Sequence, residues 1–205
     1  MTLTPLHVAF VWILKPGLGK LSFAALTVGA VVPDLEPLVA WMFGWSVFCG
    51  WDFSCTLAPD RLVLHSAVGA LTADVALTVI FVKVVQLLKP ERIGIHGFAG
   101  ARVNGYFLLS AAIGSLSHVL VDWFHHPANP VFWPFLIGGS YYVDGLLLSF
   151  LDVLPASLIV AAISGAILVL AIKKALNENG EKFSLVFSNP ARALSLVTGS
   201  LNKNG

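Results

Sequence analysis

The sequence contains little charge. Only 11% of its 205 residues are Asp, Glu, Lys or Arg, whereas 57% are hydrophobic; a soluble domain carries about 25% charged residues. This charge is too little to cover a water-facing surface, and the apolar fraction excludes intrinsic disorder. The near balance of 12 basic and 11 acidic residues argues against a nucleic-acid partner bound through a basic face.

Cysteine is also scarce. The 2 cysteines, Cys49 and Cys55, are too few for a disulfide scaffold or a four-cysteine zinc site. A single disulfide between them and a pair of free thiols both remain open. With soluble and disordered classes excluded, we expect an integral membrane protein that has the lipid bilayer as its partner.

Long apolar runs dominate the rest of the sequence. A membrane helix needs roughly 20 mostly apolar residues, and the ranges 61–88, 103–124 and 151–172 meet this requirement. The sequence therefore predicts an all-α integral membrane protein with three long transmembrane helices.

Four shorter apolar ranges are less regular. The ranges 6–14 and 21–32 flank a turn rich in Lys, Pro and Gly, which predicts a short N-terminal helical hairpin that ends at Pro33. The ranges 38–48 and 131–150 are rich in Gly, Trp or Tyr and are typical of interfacial or re-entrant segments. Either range could instead form an additional span.

Lys and Arg predict the orientation, since positive residues favour the cytoplasmic side. They concentrate in the first turn, between the first two long spans and after the last span, whereas the other loops are acidic and contain Arg61 as an exception. We expect residues 1–176 to form a multi-span domain of the cell membrane with its N-terminus outside. Residues 177–205 are expected to form a polar cytoplasmic tail.

Imidazole and carboxylate groups from four distant segments fall on the predicted outer side at similar depth. They are His7, Asp34, Asp60, His65, His118 and Asp122, followed by His125 and His126. Residues four apart on a helix share a face, with Cβ atoms about 5–6 Å apart, so His118 and Asp122 can bind the same ion. Ionisable groups in membrane spans cost roughly 2.5–3.5 kcal/mol on insertion scales and are functional by default.

The types of side chain indicate the ion. Imidazole combined with carboxylate suits zinc, manganese or iron(II), whereas magnesium and calcium prefer oxygen ligands alone. We expect one to three divalent ions, zinc first, on the extracytoplasmic side.

Several motifs resemble those of the membrane-bound metal-dependent hydrolase family. They are Val-Val-Pro-Asp-Leu-Glu (31–36), Asp-Arg-Leu-Val-Leu-His-Ser (60–66), Ser-His-Val-Leu-Val-Asp-Trp (117–123) and the segment from His125 to Phe135. The resemblance covers roughly residues 5–135. The last span and the tail carry no matching motif.

The resemblance implies roles for individual residues. His7 matches the family's N-terminal histidine, Asp34 its Pro-Asp carboxylate and His65 the second histidine of its signature. His118 and Asp122 match its His-x-x-x-Asp pair. Asp60 stands where the family has histidine, a departure that changes the charge of the site.

The resemblance also implies an activity. The family is distantly similar to zinc-dependent phospholipase C and to single-strand nucleases, so the expected function is hydrolysis of a phosphoester, such as a lipid-derived one, by a metal-activated water. His125 and His126 are the expected catalytic residues, as a further ligand or as the general acid. The alternatives are a metal-ion or proton transporter and a non-catalytic membrane scaffold.

Overall fold

The computed structural model describes residues 7–14, 20–43, 61–89 and 96–203, which are mostly helical. Ten α-helices occur within these ranges: α1 His7–Leu14, α2 Phe23–Gly29, α3 Leu35–Met42, α4 Ala67–Leu71, α5 Ala73–Leu87, α6 His96–Ala99, α7 Gly105–His125, α8 Val153–Glu178, α9 Leu185–Ser188 and α10 Pro190–Lys203. The described residues form no strand. They contain two isolated bridges, which pair Asn129 with Val143 and Ile137 with Ser140.

Three helical stretches of the described residues are long and apolar enough to cross a membrane. Two are α7, with 21 residues, and α8, with 26 residues. Their positions confirm the helices predicted over 103–124 and 151–172. The third stretch is Phe23–Ala40, which contains α2, a short 3-10 turn and most of α3. The helical stretch therefore does not end at Pro33 as predicted, because Pro33 lies in the 3-10 turn that leads into α3.

The predicted span over 61–88 differs from the structure. Residues 61–66 are not helical, and a break at Thr72 separates α4 from α5. Side chains replace the helical hydrogen bonds here: the Ser66 hydroxyl accepts from the Gly69 amide at 2.9 Å and donates to the Val63 carbonyl at 2.7 Å. The 15 residues of α5 are about 22 Å long at 1.5 Å per residue, which is shorter than a bilayer core of about 30 Å.

The two short N-terminal helices contact each other. The Trp12 indole of α1 donates to the Thr27 hydroxyl of α2 at 3.2 Å. Residues 15–19, which would form the predicted hairpin turn, lie outside the described residues, and so do residues 44–60 with Cys49, Cys55 and Asp60.

Small residues bring α2 and α7 into close contact. A Cβ atom on Gly114 would lie 2.4 Å from the Leu26 carbonyl oxygen, and one on Gly29 would lie 2.5 Å from that of Ala111. The Ser115 hydroxyl donates to the Gly29 carbonyl at 2.9 Å. Close approach through small residues and interhelical hydrogen bonds are typical of helix packing in membranes. This crossing fixes the position of α7 and of the polar residues that it carries.

The segment that follows α7 is irregular over 126–150. It contains the two bridges and a 3-10 helix, Leu146–Ser149, and this part of the described chain forms no helix long enough for an additional span. Large apolar side chains remain exposed there, including Phe135 and Phe150.

The tail packs against the helices. Ala193 and Val197 of α10 are buried against Phe23, Ala175 and Leu176. The segment predicted as a polar tail therefore contributes two helices and part of a core cluster.

Candidate metal centre

The structure brings seven of the eight predicted site residues together at one end of α7. Asp60 lies outside the described residues. The others form three overlapping groups, and within each group the potential ligand atoms lie within 4.8 Å of one another: His7, His118 and Asp122; Asp34, His65 and His118; Asp122, His125 and His126. His118 and Asp122 each belong to two groups, so they form the centre of the cluster.

Asp122 is the central carboxylate. The His7 and His126 Nε2 atoms lie 3.4 and 3.7 Å from its Oδ1. The His65 and His118 Nε2 atoms lie 3.5 and 3.6 Å from its Oδ2. Four imidazoles thus face one buried carboxylate, which lies one helical turn after His118 on α7.

Asp34 completes the group formed by His65 and His118. Its Oδ1 lies 3.5 Å from the His118 Nε2 atom and 3.9 Å from that of His65. It is the last residue of the 3-10 turn between α2 and α3, so the continuation of the helical stretch past Pro33 places its carboxylate against α7.

These contacts are too long for hydrogen bonds, which in proteins join nitrogen and oxygen at about 2.7–3.2 Å. Accordingly, five buried atoms of the cluster have no hydrogen-bond partner: Oδ1 of Asp122, Oδ2 of Asp34, and Nε2 of His65, His118 and His126. The other Asp122 oxygen, Oδ2, contacts the Arg61 guanidinium. Ligands bonded at about 2.0–2.2 Å to one tetrahedral ion lie about 3.4 Å apart. The separations of 3.4–3.9 Å are therefore close to those expected of ligands that share an ion.

Hydrogen bonds on the opposite ring nitrogens fix three imidazoles. His118 Nδ1 contacts the Ala30 carbonyl at 2.8 Å, His125 Nδ1 the Val121 carbonyl at 2.9 Å and His65 Nδ1 a Glu36 carboxylate oxygen at 3.2 Å. Because these partners accept, each Nδ1 carries a proton, so in the neutral ring the lone pair is on Nε2, which faces the cluster. Metal-binding histidines are oriented in the same way by carbonyls and carboxylates.

Burial keeps three histidines of the cluster uncharged. It lowers the pKa of His7 to about 3. Burial likewise lowers the pKa of His65 and of His126. These imidazoles are neutral at pH 7, the form in which histidine binds a metal.

Glu36 is a site residue that the sequence reasoning missed. Besides His65, its carboxylate accepts from the backbone amides of Leu62, Val63 and Leu64 at 2.9, 2.8 and 3.1 Å. It therefore holds the non-helical segment that presents His65 to the cluster. Its position two residues after Asp34 could have identified it as a site residue. The partners of its carboxylate, however, lie 26–29 residues later in the sequence.

Arg61 is the second residue missed. Its Nη1 atom lies 3.1 Å from Asp122 Oδ2, and its side chain is 11% exposed. Its positive charge in a loop that is otherwise acidic could have identified it as a site residue.

The segment after α7 holds His126 in place. The Asn129 side-chain amide donates to the His126 carbonyl, and the Asn129 and Val143 backbones pair at 2.8 and 2.9 Å. A Cβ atom on Gly145 would lie 2.9 Å from the His126 carbonyl oxygen, so only glycine allows the returning chain to pack this closely.

Comparison with known proteins gives one result. Residues 1–137 match the family described as a domain of unknown function, DUF4184. No curated protein and no solved structure matches the chain. The matched residues include the whole cluster, and because they make up more than half of the sequence, the chain belongs to the DUF4184 family.

Proposed function

We propose that the protein is a membrane-embedded, metal-dependent hydrolase that cleaves a phosphoester at the extracytoplasmic interface. One observation carries the proposal: the buried Nε2 atoms of His65 and His118 face carboxylate oxygens of Asp34 and Asp122 at 3.5–3.9 Å, and neither nitrogen has a hydrogen-bond partner. Burying such groups without partners costs free energy. An ion bound between them recovers this cost.

Zinc is the ion that best suits the ligands, with manganese and iron as alternatives. In the proposal, one to three ions bind at the three groups, two of which contain His118 and two of which contain Asp122. Bound zinc lowers the pKa of its water to about 7 and polarises a phosphoryl oxygen. The hydrogen bonds to Ala30, Val121 and Glu36 keep the imidazoles in place for this role.

His125 and His126 are placed to contribute at the end of the cluster. They form a ligand group with Asp122, and His126 lies at the start of the irregular segment. In the proposal one of them completes the ligand set or donates a proton to the leaving group.

The surroundings of His126 favour a lipid-derived substrate. Phe132, Phe135 and Leu136 are exposed in the segment that follows it, and so is Tyr141; Tyr is a residue type that prefers the interface of a membrane. A phosphoester at the level of the lipid head groups can then approach the metals directly from the bilayer.

Elemental analysis tests the proposal. Protein purified without chelator should contain zinc, manganese or iron and should hydrolyse phosphodiester or phospholipid substrates. Asp122→Ala and His118→Ala should lose both metal and activity. The matched control is Asp152→Ala, since Asp152 is an exposed carboxylate before α8 that caps no amide with its side chain.

Two results would contradict the proposal. Metal-free protein with a thermal stability unaffected by chelator would remove the metal centre. Metal flux into proteoliposomes without hydrolysis would identify a transporter instead.

A further inference from the structure

A positively charged side chain lies where the metal ligands meet. The Arg61 guanidinium contacts Asp122 Oδ2 at 3.1 Å and is nearly buried. Among the described residues, this is the one Lys or Arg side chain that forms an ion pair with the cluster. A positive charge at this position would repel a bound metal ion, so the guanidinium needs another role.

Arg61 and a divalent ion compete for the same carboxylate oxygen. Asp122 Oδ2 faces His65 and His118 at 3.5 and 3.6 Å, so an ion bound among these atoms replaces the guanidinium at that oxygen and repels it. The displaced guanidinium stays near the ions, because Glu36 holds the next three backbone amides.

We propose that Arg61 forms a binding site for anionic phosphate oxygens next to the metals. This inference rests on the proposed metal centre and extends it to the recognition of substrate. Guanidinium presents its donors as a planar fork that matches two oxygens of a phosphate group. Arg61 therefore pairs with Asp122 when the metal is absent and with the phosphoryl group of the substrate when the metal is bound.

A purely structural ion pair predicts a different outcome. If Arg61 only supported Asp122, its loss would disorder the ligand and weaken the binding of metal and phosphate together. If Arg61 competes with metal and binds phosphate, its loss strengthens the binding of metal and weakens the binding of phosphate. The opposite directions separate the two roles.

Titration calorimetry in detergent measures both affinities, with Zn²⁺ alone and then with inorganic phosphate added to zinc-loaded protein freed of excess zinc. For Arg61→Gln we expect zinc affinity to rise about tenfold and phosphate affinity to fall at least about tenfold, as for a lost charge-assisted hydrogen bond. Arg61→Lys should bind phosphate at an intermediate level, since it keeps the charge without the fork. Arg102→Gln, at an exposed position, should match the wild type.

Unchanged phosphate affinity in zinc-loaded Arg61→Gln would overturn the inference, and so would a parallel loss of zinc and phosphate affinity. Either result leaves the metal centre intact in the wild type. Failure of the wild-type protein to bind zinc, manganese or iron would instead remove the proposed function and this inference with it.

Discussion

The helices α7 and α8 are the two longest of the described residues, and they differ in what they bury. In the most apolar stretch of α7, 50% of the residues are buried, whereas in that of α8 only 17% are buried. Yet α8 is the more apolar of the two helices. The buried residues of α7 include Ser110, Ser115, His118, Asp122 and His125, whereas those of α8 are mostly apolar.

The difference indicates that polarity decides which helix is central. In water the more apolar helix would be expected in the core. In a bilayer apolar surface gains little from burial, while polar groups need internal partners. The contrast between the two helices is therefore the one expected of a chain embedded in lipid, and apolar content alone does not identify the helix that carries the site.

Metal removal should give the largest effect. If α7 carries a metal centre and α8 does not, chelator should lower the thermal stability of the wild type and of the α8 variant Ser164→Ala equally. A ligand at 1,000 times its Kd stabilises a fold by about 4 kcal/mol. The His118→Ala variant should be insensitive to chelator. An equal response of His118→Ala and wild type in thermal unfolding would contradict the assignment.

Glycine substitutions should show the next largest contrast. A Cβ atom on Gly114 of α7 meets the Leu26 carbonyl oxygen at 2.4 Å, whereas a Cβ atom on Gly165 of α8 meets nothing within 4 Å. We expect Gly114→Ala to lower the free energy of unfolding by about 2–3 kcal/mol through overpacking. Gly165→Ala should leave it unchanged or raise it. Thermal unfolding in detergent measures both, and equal values would refute the close crossing of α2 and α7.

Two glutamates differ in their expected effect on metal binding. Glu36 orients His65 toward α7, while Glu178 is exposed at the end of α8. Substituting a residue that orients a ligand costs about 10–100-fold in metal affinity. We expect Glu36→Gln to weaken zinc binding about tenfold, at the lower end because Gln keeps one acceptor. Glu178→Gln should not change the affinity for zinc. Calorimetry with zinc measures both variants, and equal affinities would contradict the prediction.

Two serines should give the smallest contrast. The Ser115 hydroxyl donates to Gly29, whereas the buried Ser164 hydroxyl has no hydrogen-bond partner. Ser115→Ala should lose about 0.6 kcal/mol of stability, the average for such bonds in membranes, and Ser164→Ala should lose none. If both variants unfold at the same temperature, the hydrogen bond between α2 and α7 contributes nothing measurable.

The sequence predicted the parts of the fold that depend on local pattern. The helices α7 and α8 follow from long apolar runs, and the shared face of His118 and Asp122 follows from their spacing of four. The span over 61–88 was predicted too long, because side-chain caps at Ser66 and hydrogen bonds to the distant Glu36 replace the first helical turn.

The remaining site residues depended on different signals. His7 and His65 were found because the distribution of charge placed them on one side, and because the motifs resemble those of a known family. Arg61 was used only for orientation, since no local rule pairs it with Asp122 across 61 positions. Long-range electrostatic contacts of this kind are set by the fold.

The charges of the cluster constrain how many metal ions it can bind. Asp34, Glu36 and Asp122 contribute three negative charges and Arg61 one positive charge, so a single divalent ion balances the charge of these four side chains. A second or third ion must bring an anion with it, because uncompensated charge is costly in a buried environment. Zinc stoichiometry should therefore depend on the buffer, with more equivalents retained in the presence of phosphate than in its absence.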